Sequence, residues 1–379
     1  MSRWRGKFVI GLTGNIGTGK SVVRRMLEHL SAYGIDADAL AHRVMAKGAP
    51  GHAAVVQLFG TWVLGTDGEV DRAKLGRLVF NDPSALVQLE KLIHPYVLQA
   101  IDYFIQRTTH QVVVIEAIKL IESGLAGHCN SLWAVYAPPE VQLRRLMQHR
   151  KMSETDARQR IAAQPPQEQK VSAAQVVIRN IGTFEDTWRQ VVTAWQKITP
   201  AQEEPAAPSR PAGATPGELS VVRGGPRHSS EIADLINRLT NPRPSLTRED
   251  IMAAFGEQAF MLLHVGKTLA GVLGWQVENL VARTTDIVLD PSVAVSQALP
   301  VLINEMERAS RDLQCEASLI FATPELAKQA AIWKSLGYEP RTPEKLGVLA
   351  WQEAAIESMP PNTVLLFKLL RQDRVLRPI

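Results

Sequence analysis

Cysteine is almost absent from this sequence, and its two cysteines lie far apart. Cys129 and Cys315 have no histidine or cysteine neighbours at the spacing of metal ligands. This excludes a disulfide framework and gives no indication of a zinc site. Unpaired cysteines suit a reducing compartment, so we expect a cytoplasmic protein.

Long apolar runs are also missing. No stretch approaches the roughly 18 consecutive apolar residues of a membrane helix. The apolar run from Phe8 to Leu12, behind a basic N-terminus, is shorter than the core of a signal peptide. We therefore expect no membrane association.

Neither sign of charge is in large excess. The formal net charge is +4, and the lysines and arginines are interspersed with acids. Nucleic-acid-binding domains usually show a basic patch or stripe, so we expect no nucleic-acid partner. The mild excess favours small anionic ligands. With 45% hydrophobic and 21% charged residues, the chain has the composition of a globular protein.

The chain is longer than one typical domain, with 379 residues. Its clearest internal boundary is residues 198–218, where proline, alanine and glycine replace any apolar periodicity. Such a composition does not form a core and is typical of a linker. The sequence therefore predicts one domain over residues 1–197 and a second over residues 219–372, joined by this linker.

Strand and helix patterns alternate in the first of these domains. Continuous apolar runs at Phe8–Leu12, Val112–Ile115 and Leu132–Ala137 predict strands buried on both faces. Helical patterns separate them, so we expect an α/β fold with a three-layer parallel sheet. The mainly helical segment 50–106 predicts an insertion beside the sheet where a second substrate would bind.

The most specific motif is "GNIGTGKS", which follows the first predicted strand and opens a predicted helix. It matches the phosphate-binding pattern G-x-x-x-x-G-K-[ST] in the structural context that this pattern requires. Glycines let backbone N–H groups surround phosphates, Lys20 reaches the outer phosphates, and the Ser21 hydroxyl ligates Mg²⁺. The sequence predicts that ATP and Mg²⁺ bind here, on Gly14, Asn15, Ile16, Gly17, Thr18, Gly19, Lys20 and Ser21.

Two acids follow the second predicted strand, which ends near Ile35. Asp36 and Asp38 are two residues apart at the edge where ligands bind in open α/β sheets. Either both carboxylates face the cleft, or one faces it while the other caps the helix that starts near Ala39. Spacing alone leaves both arrangements open for either residue.

The segment from Phe8 to Trp195 contains the phosphate loop, "DAD" (Asp36–Asp38), "LIHP" (Leu92–Pro95), Gln164 and "VVIRNIG" (Val176–Gly182). With these motifs, the segment resembles dephospho-coenzyme A kinases. The resemblance implies a P-loop kinase fold. It also implies that ATP phosphorylates the ribose 3′-hydroxyl of dephospho-coenzyme A, with Asp38 taking the proton of that hydroxyl.

The same resemblance assigns further roles, and each has an alternative. Arg145 would close over the phosphates, or be one charge on a solvated helix face. Asn180 and Gly182 would contact the adenine, or form a simple turn. His94 would bind substrate, or fix the helical insertion. The resemblance does not assign a role to Glu116, but this residue ends a predicted strand where P-loop proteins often place a carboxylate that holds a water of Mg²⁺; the alternative is a solvated strand end.

The chain departs from the family pattern at a few positions. Ile118 and Lys119 stand where the family usually begins a Pro-Leu-Leu motif, His149 replaces a common lid arginine, and Gln175 replaces an aspartate. The departures at Ile118, Lys119 and Gln175 motivate one alternative, a nucleotide-binding regulatory protein without catalysis. A related P-loop kinase for a nucleoside or nucleotide is the other alternative.

The segment after the linker resembles the GNAT acyltransferase fold. Its order is a strand, two helices, several strands, a long helix, a strand, the helix ending in "WKSLGY", and strands near Leu346 and Val364. The turn Asp290–Leu299, where that fold binds the pyrophosphate of acyl-coenzyme A, has no glycine. Trp333 stands where a tyrosine acid is common. We expect a degenerate module for binding or stability, with binding of coenzyme A or an active transferase as alternatives.

Overall fold

The computed structural model describes residues 3–198 and 218–371. Within this part the chain forms two compact units: residues 3–20 with 32–178, and residues 21–31 with 179–371. The interior of the predicted linker, 199–217, and residue 372 lie outside the described residues. The predicted domain boundaries therefore stay a prediction. Among the described helices, none combines the length and apolarity that crossing a bilayer requires.

The first sheet has five strands in the order β2-β3-β1-β4-β5. The central strand β1 runs parallel to both neighbours, with Val9 beside Val113 and Leu12 beside Trp133. Val9 to Thr13 are all buried, which explains the unbroken apolar run in the sequence. The predicted parallel α/β class is confirmed, and the strands are β1 Phe8–Thr13, β2 Tyr33–Asp36, β3 Val112–Glu116, β4 Ser131–Tyr136 and β5 Val176–Arg179.

The helices up to residue 198 include the predicted insertion and two that the sequence did not reveal. They are α1 Lys20–His29, α2 Ala37–Arg43, α3 His52–Phe59, α4 Arg72–Asn81, α5 Pro83–Arg107, α6 Pro139–Arg150, α7 Glu154–Ala162, α8 Gln167–Ala173 and α9 Phe184–Ile198. The unpredicted pair is α7 and α8. Each buries one residue, Ala157 and Lys170 respectively, so neither carries an apolar stripe.

Helix α5 is the longest element of the insertion, with 25 residues. Its start is fixed by Asp82, whose carboxylate accepts hydrogen bonds from the N–H groups of Ser84 and Ala85, and by Pro83 in the first turn. One face of the helix is buried, at Leu89, Ile93, Val97, Ile101 and Phe104. This stripe produces the helical periodicity seen in the sequence.

The second unit contains a seven-stranded sheet in the order β11-β12-β10-β9-β8-β7-β6. Strands β9 and β10 are parallel, and the other neighbours are antiparallel. The strands are β6 Leu219–Arg223, β7 Ala259–Val265, β8 Thr268–Glu278, β9 Val281–Leu289, β10 Ala317–Ala322, β11 Glu339–Pro340 and β12 Val364–Leu369. The accompanying helices are α10 Ser229–Thr240, α11 Arg248–Ala254, α12 Val295–Asp312, α13 Pro324–Ala327, α14 Ala330–Ser335 and α15 Leu349–Ser358.

The prediction of a strand near Leu346 is wrong. Leu346 lies after a short 3₁₀ turn, Pro343–Lys345, and not in a strand. It is buried in a small core with Trp351 of α15, a helix that the sequence analysis missed. Helix α15 has apolar residues all round, so it shows no helical stripe in the sequence.

Helix α1 belongs to the second unit from Ser21 onward, and it packs on the end of α11. The His29 ring contacts the Phe255 ring edge to face, and its Nε2 lies 2.9 Å from the Phe255 carbonyl oxygen. At Gly256 an added Cβ atom would lie 3.3 Å from Val22 of α1 and 3.3 Å from Phe184 of α9. A glycine is what lets the three helices approach each other here.

Replacing Gly256 with valine tests this close approach. We expect Gly256→Val to lower the free energy of unfolding by about 1–3 kcal/mol, because the new side chain overpacks the junction of α1, α9 and α11. Urea titration followed by circular dichroism would measure it. Gly225→Val is the matched control, since nothing lies within 4 Å of a Cβ at Gly225. Equal effects of the two substitutions would contradict the prediction.

Candidate active site

The phosphate loop, residues 14–19, joins β1 to α1 and is packed too tightly for side chains at two of its glycines. A Cβ atom at Gly14 would lie 2.5 Å from the Val135 carbonyl oxygen. Gly17 has a φ of +75°, and a Cβ there would lie 3.0 Å from the Gln142 carbonyl oxygen. The backbone therefore takes this path only with glycine at both positions.

Three side chains hold the loop in place. Gln164 Oε1 accepts a hydrogen bond from the Ile16 N–H (2.8 Å), and the Asn15 amide donates to the Pro165 carbonyl (2.8 Å). Arg145 donates to the carbonyls of Gly17 and Thr18, at 3.3 and 3.2 Å. Arg145 is thus bound to the loop, and the solvated-helix-face alternative is wrong. The role of Gln164 was not predicted, although the residue belongs to the family motif.

Lys20 is buried at the start of α1, with 8% of its surface exposed. Its Nζ donates to the Asn15 carbonyl at 3.4 Å. Burial lowers the pKa of Lys20, while the carboxylates of Glu116, Asp38 and Asp36 raise it. The structure therefore brings the loop lysine and these acids together in one charged cluster.

Asp36, the last residue of β2, and Asp38, two residues later, have different partners. Asp36 caps α2, because its Oδ1 accepts a hydrogen bond from the Ala39 N–H at 2.8 Å. Asp38 Oδ2 instead accepts the Ile118 N–H at 3.1 Å. Burial raises the pKa of Asp38, and the Ile118 N–H and Lys20 oppose that rise. Of the two arrangements left open by spacing, the structure has Asp36 as the cap and Asp38 as the acid beside Lys20.

Asp38 lines a pocket with a volume of about 300 Å³. The pocket lies between α2, α5 and the segment that follows β3, and it has both apolar and basic walls. Its lining residues include Ile93, His94, Val97, Leu98, Lys119 and His128. His94 is exposed, so it is not part of the buried stripe that holds the helical insertion together.

The segment after β3 contains several of the departures from the family pattern. Glu116 ends β3 and is only 4% exposed, so the solvated strand-end alternative is wrong. Ile118 meets Asp38 through its backbone N–H, and Lys119 forms an ion pair with Glu90 across the pocket wall. Gln175 Oε1 accepts the Leu132 N–H at 2.6 Å, beside a backbone bond from the Gln175 N–H to the Leu132 carbonyl.

The remaining predicted site residues are described within the second unit. Ser21 is exposed in the first turn of α1. Asn180 is buried, and its Oδ1 accepts a hydrogen bond from the Thr187 hydroxyl at 3.1 Å. A Cβ at Gly182 would lie 2.7 Å from Asp186 Oδ2. Asn180 and Gly182 thus form the turn that leads into α9, and their contact with an adenine stays a prediction.

The turn before α12 in the second unit is filled by a carboxylate of the chain itself. Asp290 Oδ1 accepts the Ser292 N–H at 2.9 Å and the Ser292 hydroxyl at 2.7 Å. Arg238 pairs with Oδ2 of the same carboxylate at 2.7 Å. These bonds lower the pKa of Asp290 to about 2, so it is ionised at neutral pH. The Ser292 N–H and hydroxyl are therefore already bound to a carboxylate of the chain.

The matching family model and the curated relatives correspond to the N-terminal half of the chain. The family model described as dephospho-CoA kinase matches residues 8–186. A dephospho-CoA kinase of Geobacter metallireducens is 44% identical over 192 residues, which are 50% of this chain and 96% of the relative. That of Geobacter sulfurreducens is 40% identical over 195 residues, 51% of this chain and 99% of the relative. A solved GNAT-family acetyltransferase from Streptococcus pneumoniae is 13% identical, with a TM-score of 0.31, over 40% of this chain and 99% of its own.

The different partners of Asp36 and Asp38 predict different effects on stability. Asp36→Ala removes the helix cap and should lower the free energy of unfolding by about 1 kcal/mol. Asp38→Asn keeps an acceptor for the Ile118 N–H and removes a charge that burial disfavours.

The Asp38 effect should depend on pH. Because the folded-state pKa of Asp38 is raised, the stability it contributes is lost as pH rises through that pKa. Asp38→Asn should therefore be more stable than the wild type at pH 8, with a smaller difference at pH 5. Urea unfolding at both pH values measures this, and a larger loss for Asp38→Asn than for Asp36→Ala at pH 8 would contradict it.

Proposed function

This chain belongs to the dephospho-coenzyme A kinase family, and from that premise we propose that it transfers the γ-phosphoryl group of ATP to the ribose 3′-hydroxyl of dephospho-coenzyme A. The observation that carries the proposal is the position of Asp38. Its carboxylate lines a pocket of about 300 Å³ and lies in the same charged cluster as the loop residue Lys20. A base at an acceptor pocket beside a phosphate loop is what phosphoryl transfer to an alcohol needs.

Asp38 acts as the general base in this proposal. Its carboxylate accepts the proton of the 3′-hydroxyl while that oxygen bonds to the γ-phosphorus. The bond from the γ-phosphorus to the β–γ bridging oxygen breaks, and ADP leaves. Burial makes Asp38 more basic than an ordinary aspartate, while the Ile118 N–H and Lys20 favour its ionised form. A base must be ionised before it accepts the proton, so both effects serve the reaction.

Lys20 and Arg145 supply positive charge to the phosphates. Phosphoryl transfer depends mostly on positioning and on stabilising the charge of the transferred group. Lys20 is held at the loop by the Asn15 carbonyl, and Arg145 is held by the carbonyls of Gly17 and Thr18. Both cations are thus fixed before ATP arrives, which reduces the reorganisation needed in the transition state.

The oxygen donors near the loop suit Mg²⁺. Mg²⁺ is usually held by one or two protein oxygens together with phosphate oxygens and waters. Ser21 offers a hydroxyl, and the buried Glu116 offers a carboxylate that would hold a water of the ion. The described residues contain no cluster of three or more His, Cys, Asp or Glu side chains around a metal position. When bound, the ion neutralises charge on the β- and γ-phosphates.

The pocket lining supports an acceptor that is part apolar and part anionic. Ile93, Val97 and Leu98 form an apolar wall suited to an aromatic base, while Lys119 and His128 suit phosphate oxygens. A nucleotide would share these features, so nucleotide kinase activity remains the second candidate. We place the proposed reaction in the cytoplasm, where Cys129 and Cys315, neither of which is in a disulfide bond in the structure, remain reduced.

A coupled kinase assay tests the proposal directly. With ATP and Mg²⁺, the full chain should convert dephospho-coenzyme A to coenzyme A and leave a panel of nucleosides and nucleotides unchanged. Asp38→Asn should lower kcat by about 10²–10⁴ while ATP affinity stays within about twofold, because only the base is lost. Asp36→Asn is the matched control, since asparagine also caps helices well. Transfer only to a nucleoside, or ATP binding with no product, would favour one of the two alternatives.

For residues 219–371 we infer a structural module and no acyltransferase activity. Asp290 fills the turn where the resembling fold would bind a pyrophosphate. Trp333 is only 2% exposed, and its Nε1 donates to the Leu326 carbonyl at 2.7 Å, so it is part of the core and offers no acid. The contacts of α1 and α9 with the end of α11 support a role in stability instead.

An acetyl-transfer assay tests this inference. The full chain, with acetyl-coenzyme A and a panel of amines, should release free thiol no faster than the uncatalysed background. Asp290→Ala should leave that rate at background, because removing the carboxylate does not supply an acid. Thiol release that depends on both enzyme and amine would contradict the inference and restore the transferase alternative.

A further inference from the structure

Helix α8 carries a lysine in an unusual environment. Lys170 is only 2% exposed, and lysine is rarely buried to this degree unless it is paired. Its Nζ donates a hydrogen bond to the Ile118 carbonyl and lies 3.6 Å from Glu122 Oε1. Sequence patterns gave no sign of this residue, because α8 has no apolar stripe.

The peptide groups of Ile118 connect Lys170 to Asp38. The Ile118 carbonyl accepts hydrogen bonds from Lys170 Nζ and from the Thr13 hydroxyl, the latter at 3.2 Å. The Ile118 N–H donates to Asp38 Oδ2 at 3.1 Å. Thr13 ends β1 directly before the phosphate loop. The backbone at Ile118 is therefore fixed from one side and orients the acid on the other.

We propose that Lys170 is a positioning residue for phosphoryl transfer: it holds the Ile118 backbone that orients Asp38, and its charge favours the ionised carboxylate. This rests on the proposed role of Asp38 as the base. Lys170 acts through Ile118 and through the electric field, and it need not touch either substrate.

The charges that shift the pKa of Asp38 come from three elements, and Glu90, His94, Lys119 and His128 line the same pocket as Asp38. Lys20 of α1 and Lys170 of α8 lower the pKa of Asp38, and Glu116 of β3 raises it, as does burial. Glu122 faces Lys170 from the other side and raises the pKa of that lysine, against the lowering by burial. Glu122 thus favours the protonated form of Lys170 and partly offsets its field at Asp38.

Two substitutions that should shift the pKa of Asp38 in opposite directions, Lys170→Met and Glu122→Gln, distinguish this positioning role from a role in packing alone. In the full chain, Lys170→Met should lower kcat about tenfold or more, with little change in KM for ATP, because the base loses its orientation. The acidic limb of the kcat/KM profile should move up by about one pH unit, since a carboxylate that loses a nearby cation is harder to ionise. Lys170→Arg should restore most of the limb position. Glu122→Gln should move the limb to lower pH, and Lys91→Met, an exposed lysine of α5, should change neither value.

The pKa of Asp38 can also be measured directly, without a kinase assay. This measurement distinguishes failure of this inference from failure of the proposed function. The carboxyl ¹³C resonance of Asp38, assigned by its loss in Asp38→Asn, should titrate at higher pH in Lys170→Met than in the wild type. If no variant phosphorylates dephospho-coenzyme A but this shift occurs, the proposed function fails and the link from Lys170 to Asp38 stands. An unshifted resonance and limb in a folded Lys170→Met protein would overturn the inference. If Lys170→Met does not fold, an unchanged limb in Glu122→Gln would overturn it.

Discussion

A lysine buried at the edge of a parallel sheet requires negative charge beside it, and the first unit is organised around that requirement. Removing an ammonium group from water is costly unless counter-charges replace the solvent. Strand β3 lies between β2 and β1, so its last residue, Glu116, and the acids at the end of β2 collect beside Lys20. The topology thus places Lys20 beside Glu116, Asp36 and Asp38.

The sequence revealed the parts of the site that have a local pattern. The phosphate loop, the strand before it and the helical insertion could be predicted because each has a spacing set by backbone geometry. The assignment of Asp36 as cap and Asp38 as acid could not, since it depends on the Ile118 N–H, 80 residues away. Lys170 was missed because it reaches the site from a helix without periodicity.

Two of the departures from the family pattern, Gln175 and Ile118, form hydrogen bonds that involve the backbone. Gln175 bonds to the backbone of Leu132 as a residue of an edge strand would, and Ile118 uses its N–H and carbonyl while its side chain takes no part in the bonds described here.

In the second unit, the His29 side chain also contacts a backbone group, the Phe255 carbonyl. Burial and Arg223 lower the pKa of His29 to about 3, so the ring stays neutral and the contact is insensitive to pH near neutrality.

The N–H of Ile118 sets this chain apart from kinases with the usual motif. A proline, with which that motif usually begins, has no N–H to offer a carboxylate. Here the N–H donates to Asp38, and a donor of this kind stabilises the anion over the acid. An amino acid in place of that imino acid therefore favours the ionised form of Asp38, so the base of the proposed reaction stays ionised at lower pH than it would with proline at this position.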